Sequence, residues 1–192
     1  MKGLTVVAML ASTGGLVVAQ PLIEGNPKSA VRVIIYEDLQ CPDCAAFRRM
    51  LDEKLLPQYG SKVAFEPRDF PLARHAWARK AAIAARFFQE TNPELALSFR
   101  RHMMADIKGI TKAGFEESLA AFAQSHGVDP AKAAAALADP RLAALIEKDF
   151  QEGVARGVSR TPTAFVNGTP FIETFTYAEI SKGIEAALAE VK

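Results

Sequence analysis

Cysteine is scarce. The 192-residue chain has two, Cys41 and Cys44, so no third thiol competes with them or rescues them. Histidine is nearly as rare. His75, His102 and His126 do not stand at ligand spacing from the cysteines. Structural zinc usually takes four ligands, and Cys41 with Cys44 supplies two, so a metal centre is disfavoured and the histidines read as surface or helix-packing residues. Charge of one sign is missing too. The formal net charge is +1, which argues against the basic surface that nucleic acid requires. The short cluster Arg100-Arg101-His102 reads as a solvated helix face. Repeats and low-complexity linkers are absent, and beyond the first twenty residues no run is long and apolar enough to span a bilayer. Tryptophan occurs once, at Trp77, and reads as helix packing.

What is present is a folded, globular composition, 49% hydrophobic and 23% charged, long enough for one well-buried domain with an inserted subdomain. The two cysteines form Cys41-Pro42-Asp43-Cys44. A dithiol this close closes to a disulfide with little chain to order, and can pass that disulfide on by thiolate exchange. Before it, Val31 to Tyr36 is β-branched and aromatic, which suits a buried strand. After it, Phe47, Met50, Leu51, Leu55 and Leu56 give Ala45 to Leu56 an amphipathic helical pattern. A CxxC between strand and helix is the setting of redox chemistry. A thiolate attacks disulfides, and Cys41 at a helix N-terminus gains from free N–H groups and the helix dipole. Pro42 suits the first turn because it lacks an N–H. Cys44 lies one helical turn further on, within reach of a sulfur bound to Cys41.

The N-terminus has the layout of an export signal over residues 1–19. Lys2 is the positive region, and Leu4 to Leu10 and Leu16 to Ala19 are apolar. Val17 and Ala19 fit a small-residue cleavage pattern, with Gln20 as the mature start. Ser12-Thr13-Gly14-Gly15 interrupts the apolar stretch, though an uncleaved anchor or a first strand stays open as a reading. Export to the periplasm or another extracytoplasmic space puts the cysteines where disulfides persist.

Further along, Pro21 to Ala30 reads as a lead-in loop with a short strand at Pro21 to Glu24. Gly60 is the expected C′ residue of the helix after Cys44. Lys62 to Phe70 alternates as a second strand, parallel to the first. Helices are expected over 73–90, 93–107, 112–125, 130–138 and 140–155. Asp129-Pro130 and Asp139-Pro140 serve as N-cap and first-turn pairs. Strand character returns at Thr163 to Asn167, a turn is expected at Gly168-Thr169, and Pro170 to Thr174 reads as an edge strand. A final helix, Tyr177 to Val191, places Ile180, Ile184, Leu188 and Val191 on one face.

Three strings in this order resemble the thioredoxin fold in its DsbA-like form. They are Leu39-Gln40-Cys41-Pro42-Asp43-Cys44, Arg68-Asp69-Phe70-Pro71-Leu72 followed by His75, and Arg160 to Gly168 with Thr161-Pro162-Thr163 at its head. The resemblance covers about 20–192 and implies an α/β thioredoxin-fold domain with a helical insertion at about 73–156. It implies a protein thiol–disulfide oxidoreductase that needs no cofactor, with Cys41 the exposed nucleophile and Cys44 the buried resolving thiol. Thr161 and a cis Pro162 would face the pair, the backbone of Thr161 being free to meet an extended substrate. Reduced secreted proteins would be the substrates, and a membrane quinone-linked thiol oxidase the recycling partner.

Two departures from the family pattern bear on the chemistry. Asp43 stands where strongly oxidising relatives carry histidine, and an anion there disfavours the Cys41 thiolate, so a milder oxidant is expected. Ile35 stands six positions before Cys41, where many thioredoxin-like proteins place a buried acid. Glu37 or Asp38 could substitute, or both could be solvated strand-end charges. Oxidase is favoured by export and by the absence of a dimerisation domain, which also implies a monomer. Reductase or isomerase stays open, as does a binding protein with a structural disulfide, although so short a disulfide loop adds little stability.

Overall fold

The computed structural model describes residues 21–191, so the export-signal reading lies outside the described residues. Five strands form one mixed sheet in the order β1-β3-β2-β4-β5. β1 (Glu24–Gly25) runs antiparallel to β3 (Ala64–Asp69), which is parallel to β2 (Arg32–Glu37). β4 (Thr163–Val166) is antiparallel to β2, and β5 (Thr169–Ile172) closes the far edge. Central β2 has Val33, Ile35 and Tyr36 buried, as its β-branched and aromatic content requires.

Helix α1 (Pro42–Met50) follows β2 directly and continues through a π-helical turn, Leu51–Leu55, into α2 (Leu56–Tyr59). Periodicity alone shows one unbroken helix here. Pro57 explains the difference, because it has no N–H to give the carbonyl four residues back and its ring crowds that turn. The wider turn, with the Leu56 N–H donating to the Leu51 carbonyl, accommodates it and keeps Leu51 and Leu55 in the core. Gly60 ends the helix in right-handed conformation, φ −56°, not as a left-handed C′ glycine.

Between β3 and β4 lie five helices: α3 (Ala78–Thr91), α4 (Pro93–Ala105), α5 (Phe115–Ser125), α6 (Pro130–Ala136) and α7 (Pro140–Ala155). α3 starts later than expected because 73–77 forms turns beside the cysteines. Asn92, Asp129 and Asp139 each cap a helix whose first residue is proline, accepting the N–H of Glu94, Ala131 and Arg141. The helices carry their own core around Phe88, Phe99, Met103, Phe115 and Leu119, into which Trp77 packs, stacked on Phe115. The second core lies between the sheet, α1 and the last helix α8 (Tyr177–Glu190), with Ile180 and Ile184 buried. Val191, expected on that buried face, is exposed, because α8 ends at Glu190.

The β4–β5 turn is Asn167-Gly168, one residue earlier than expected. Both have positive φ, 44° and 97°, the requirement of a two-residue primed hairpin. This is the α/β thioredoxin fold with a helical insertion that the resemblance implied.

Candidate active site

The end of β2, the start of α1 and the start of β4 meet at the two cysteines. Cys41 is the N-cap residue of α1, with Pro42 at its first position. The Cys41 N–H donates to the Asp38 carbonyl at 3.0 Å, and the Ala45 N–H donates to the Cys41 carbonyl at 3.0 Å, so the loop enters the helix without slack. Both cysteines stand as free thiols in this structure. Cys44 is fully buried, and Cys41, expected as exposed, retains only 2% of its surface. The cause is β4's lead-in, which lies over it. The Cys41 thiol donates to the Thr161 carbonyl at 3.3 Å, and the Thr161–Pro162 peptide bond is cis.

The environment separates the two thiols. Cys41 is pulled down to about 6, first by the Cys44 thiol. Burial opposes this, and Thr161 and the backbone N–H groups of Cys44 and Asp43 add to it. These are the free amides of the α1 N-terminus, which favour an anion. The Thr161 hydroxyl is buried without a hydrogen-bond partner. A thiolate has no proton for the Thr161 carbonyl and accepts from that hydroxyl instead. Cys44 is pushed well above the ordinary range by burial, by Cys41 and by Glu37, against the pull of the Asp38 N–H, which donates to Cys44 Sγ at 3.4 Å. Asp43 is exposed on the first turn of α1. What it contributes to Cys41 is its backbone N–H rather than a repulsive carboxylate, whose field solvent screens.

The acids before the pair are not solvated strand-end charges. Glu37 is 2% exposed and Asp38 1%. Arg100, expected on a solvated face, is also buried, because α4 turns that face onto the ends of β2 and β3. Arg100 Nε donates to Glu37 at 2.9 Å, and its Nη2 lies 2.9 Å from Asp69. Arg86 of α3 donates to Asp69 at 2.6 Å and also binds Asp149 of α7. Burial raises the Glu37 carboxyl, only partly offset by Arg100. Asp69 is held low despite burial because both arginines flank it. Arg101 likewise pairs with Glu24 and Asp52 rather than facing water alone. His102 and His126 pack near Phe122, as expected of helix histidines.

His75 does not fit the surface or helix-packing reading. Its Nδ1 lies 2.8 Å from Asp38 Oδ2, which also accepts the Leu72 N–H at 2.7 Å. Asp38 Oδ1 accepts the Gln40 N–H at 2.7 Å, and Gln40 Oε1 accepts the Trp77 N–H at 2.8 Å. The string Phe70-Pro71-Leu72 with His75 marked this segment in the sequence, but its partners lie 34 to 37 residues away and carry no local signal. Among the described residues no group of three or more His, Cys, Asp and Glu side chains could hold a metal ion. Nor is any described helix long and apolar enough to cross a membrane.

Comparison with known proteins places this geometry. Residues 18–186 match the family model described as Thioredoxin. A Rickettsia conorii protein, provisionally named a protein-disulfide oxidoreductase, is 28% identical over 177 residues, covering 89% of this chain. The Na(+)/H(+) antiporter NhaA 3 of Salinispora tropica is 29% identical over 173 residues, covering 88% of it. The chain spans 61% of the first relative's length and 25% of the second's. Among solved structures, oxidised BdbD from Bacillus subtilis superposes with a TM-score of 0.78 at 22% identity, over 88% of this chain and 93% of that one. The α-DsbA1 protein of Wolbachia pipientis does so at 0.78 and 18%, over 88% and 92%. With the family model spanning residues 18–186, and the fold matched over 88% of the chain, this protein belongs to the thioredoxin family and has its DsbA-like, helix-inserted fold.

Proposed function

We propose that this protein is an exported thiol–disulfide oxidoreductase that introduces disulfides into reduced secreted proteins. The observation that carries the reading is the split between the thiols, Cys41 drawn down to about 6 and Cys44 driven up. In the oxidised protein a substrate thiolate attacks Cys41 Sγ. The Cys41–Cys44 bond breaks, Cys44 leaves and takes a proton, and a mixed disulfide forms on Cys41. A second substrate thiolate then attacks the substrate sulfur of that bond, and Cys41 leaves as a thiolate. The substrate loses two electrons and the dithiol gains them. A leaving thiol of low pKa leaves faster, and a stable thiolate favours the reduced form, so the pair accepts electrons. The backbone at Thr161 lies against Cys41 and is the natural place for an extended substrate segment to dock.

A Cys41 value of about 6 lies between about 7 for thioredoxin and about 3.5 for DsbA. The potential therefore belongs between about −270 and about −120 mV, that of a moderate oxidant. The N-terminal segment supplies export to the periplasm, and a membrane quinone-linked thiol oxidase restores the disulfide. The protein works as a monomer. Two measurements test the reading. Equilibration with glutathione gives the potential; a value at or below that of thioredoxin would make the protein a reductase. Cys44→Ser should accumulate mixed disulfides with client proteins and Cys41→Ser should not. The reverse pattern would invert the two roles.

A further inference from the structure

The resolving thiol is held by a chain of contacts that ends at a histidine. Cys44 Sγ is buried, and the Asp38 peptide N–H donates to it at 3.4 Å. That peptide is fixed by Asp38's own side chain, which is wholly enclosed. Three donors converge on its carboxylate: the N–H groups of Gln40 and Leu72, each at 2.7 Å, and His75 Nδ1 at 2.8 Å. A carboxylate has no proton to give, so Nδ1 carries the hydrogen. His75 is in turn set by a tight turn, its N–H donating to the Leu72 carbonyl at 2.9 Å. Its side chain keeps 15% of its surface, so it bridges the enclosed carboxylate to the protein's exterior. A buried carboxylate missing one of three donors loses a charge-assisted hydrogen bond, and it can recover one only by moving. The peptide that touches Cys44 would move with it.

We infer that His75 is a positioning residue for Cys44: by holding the Asp38 carboxylate it keeps the Asp38 N–H aimed at the sulfur that must become a thiolate. The inference rests on the proposed thiol–disulfide activity. The step concerned begins from a mixed disulfide on Cys41. Cys44 gives its proton to solvent, and its thiolate attacks Cys41 Sγ. The bond from Cys41 to the outside sulfur breaks, the Cys41–Cys44 bond forms, and the released thiolate is protonated by solvent. An N–H···S contact strengthens as charge builds on sulfur, so the loss falls on this step. Cys41's own attack on an outside disulfide draws on the Cys44 thiol proton, on Thr161 and on α1's amides; none of these is bonded to Asp38's carboxylate, and Cys44 stays protonated in that step, so it is largely spared.

The test uses the reduced protein and oxidised glutathione, with acid quenching and mass spectrometry to resolve the two phases. The first phase is second order, formation of Cys41–glutathione. The second is first order, closure by Cys44 with release of glutathione. In His75→Ala closure should slow by about tenfold, the scale of one charge-assisted hydrogen bond partly recovered, while the first phase changes less than about twofold on the same scale. His75→Asn returns an N–H donor near the Nδ1 position and should restore closure to within about threefold of the native rate. His75→Leu, which fills the volume without a donor, should behave as His75→Ala and serves if the alanine variant does not fold. Closure at the native rate in a folded donorless variant overturns the inference, as does an equal slowing of both phases or a failure of asparagine to rescue. A native protein that forms no glutathione adduct, or never closes it, would instead sink the thiol–disulfide reading itself.

Discussion

The pH dependence of the redox couple follows from one number, a Cys41 thiol at about 6. At pH 7 such a thiol is about nine-tenths ionised, where an ordinary one near 8.5 is only a few per cent so. The ratio of their proton-binding terms stabilises the reduced protein by ~1.4 kcal/mol, which for a two-electron couple is about 30 mV toward oxidant. Cys44 lies well above the ordinary range and stays protonated throughout. Below pH 6 two protons therefore accompany two electrons, and the potential falls by ~59 mV per pH unit. Above it one proton does, and the slope halves to ~30 mV.

The same number appears in stability. Cys41's folded pKa is depressed below its unfolded one, so its contribution to the reduced protein is fully present above about 8.5 and is lost as pH falls through about 6. The oxidised protein has no thiol to titrate. The reduced form should thus gain on the oxidised form by about 2.5 kcal/mol between pH 5 and pH 8. The assay is equilibration with glutathione from pH 4 to pH 8, paired with urea unfolding of both forms and ultraviolet absorbance of the thiolate. A single ~59 mV slope through pH 8, or a thiolate that titrates only near 8.5, would refute the reasoning, because the Cys44 thiol, Thr161 and the α1 amides would then not be stabilising Cys41.

Asp43→His should move the potential positive by no more than about 30 mV, the equivalent of one pKa unit, because the Asp43 side chain is exposed and screened. A positive shift well beyond that would show that the Asp43 carboxylate does repel the Cys41 thiolate despite its exposure. Arg100→Leu takes the guanidinium from buried Glu37 and leaves buried Asp69 with Arg86 alone, and should cost about 3–5 kcal/mol in urea unfolding; a loss under about 1 kcal/mol, the scale of an exposed pair, would mean that the network is not dry. Expressed with residues 1–19 in a Gram-negative host, the protein should, on the proposed reading, reach the periplasm and begin near Gln20. Mass spectrometry of a cytoplasmic product with Met1 intact would remove export from the proposed function.

Most of the scaffold could be read from the chain. Val31 to Tyr36, the Cys41–Cys44 turn and the alternation of Lys62 to Phe70 are local patterns, and the strands formed where those patterns lie. The proline-led helices were equally legible, since Asp129 and Asp139 act on amides two residues away. The misses came where a partner is distant or a backbone adjustment is silent. The apolar pattern of Ala45 to Leu56 reads as one plain helix and carries no sign of the π-helical turn at Leu51–Leu55. Arg100 reads as surface beside Arg101 and His102, and only the docking of α4 on the sheet, 63 residues from Glu37, makes it interior.

The buried charges add to a difference between the two thiols that the burial of Cys44 and the hydrogen bond between the sulfurs set first. Three carboxylates, Glu37, Asp69 and Asp149, share two guanidiniums, Arg86 and Arg100, in a layer between the sheet ends and the inserted helices. With all five ionised that layer would be one charge negative, and Glu37, whose carboxyl burial raises, is the member whose charge reaches Cys44. A second anion on Cys44 would add to the excess, so the layer opposes it. Cys41 meets the opposite surroundings: the Cys44 thiol first, then Thr161 and the free amides of α1, all favouring its thiolate. Helix start and buried layer therefore push the same electron pair outward, toward the sulfur that lies against Thr161. A family acid at position 35 is not needed for that asymmetry, because burial and the contact between the sulfurs already separate the thiols, and Glu37 adds to it from two residues further along the same strand.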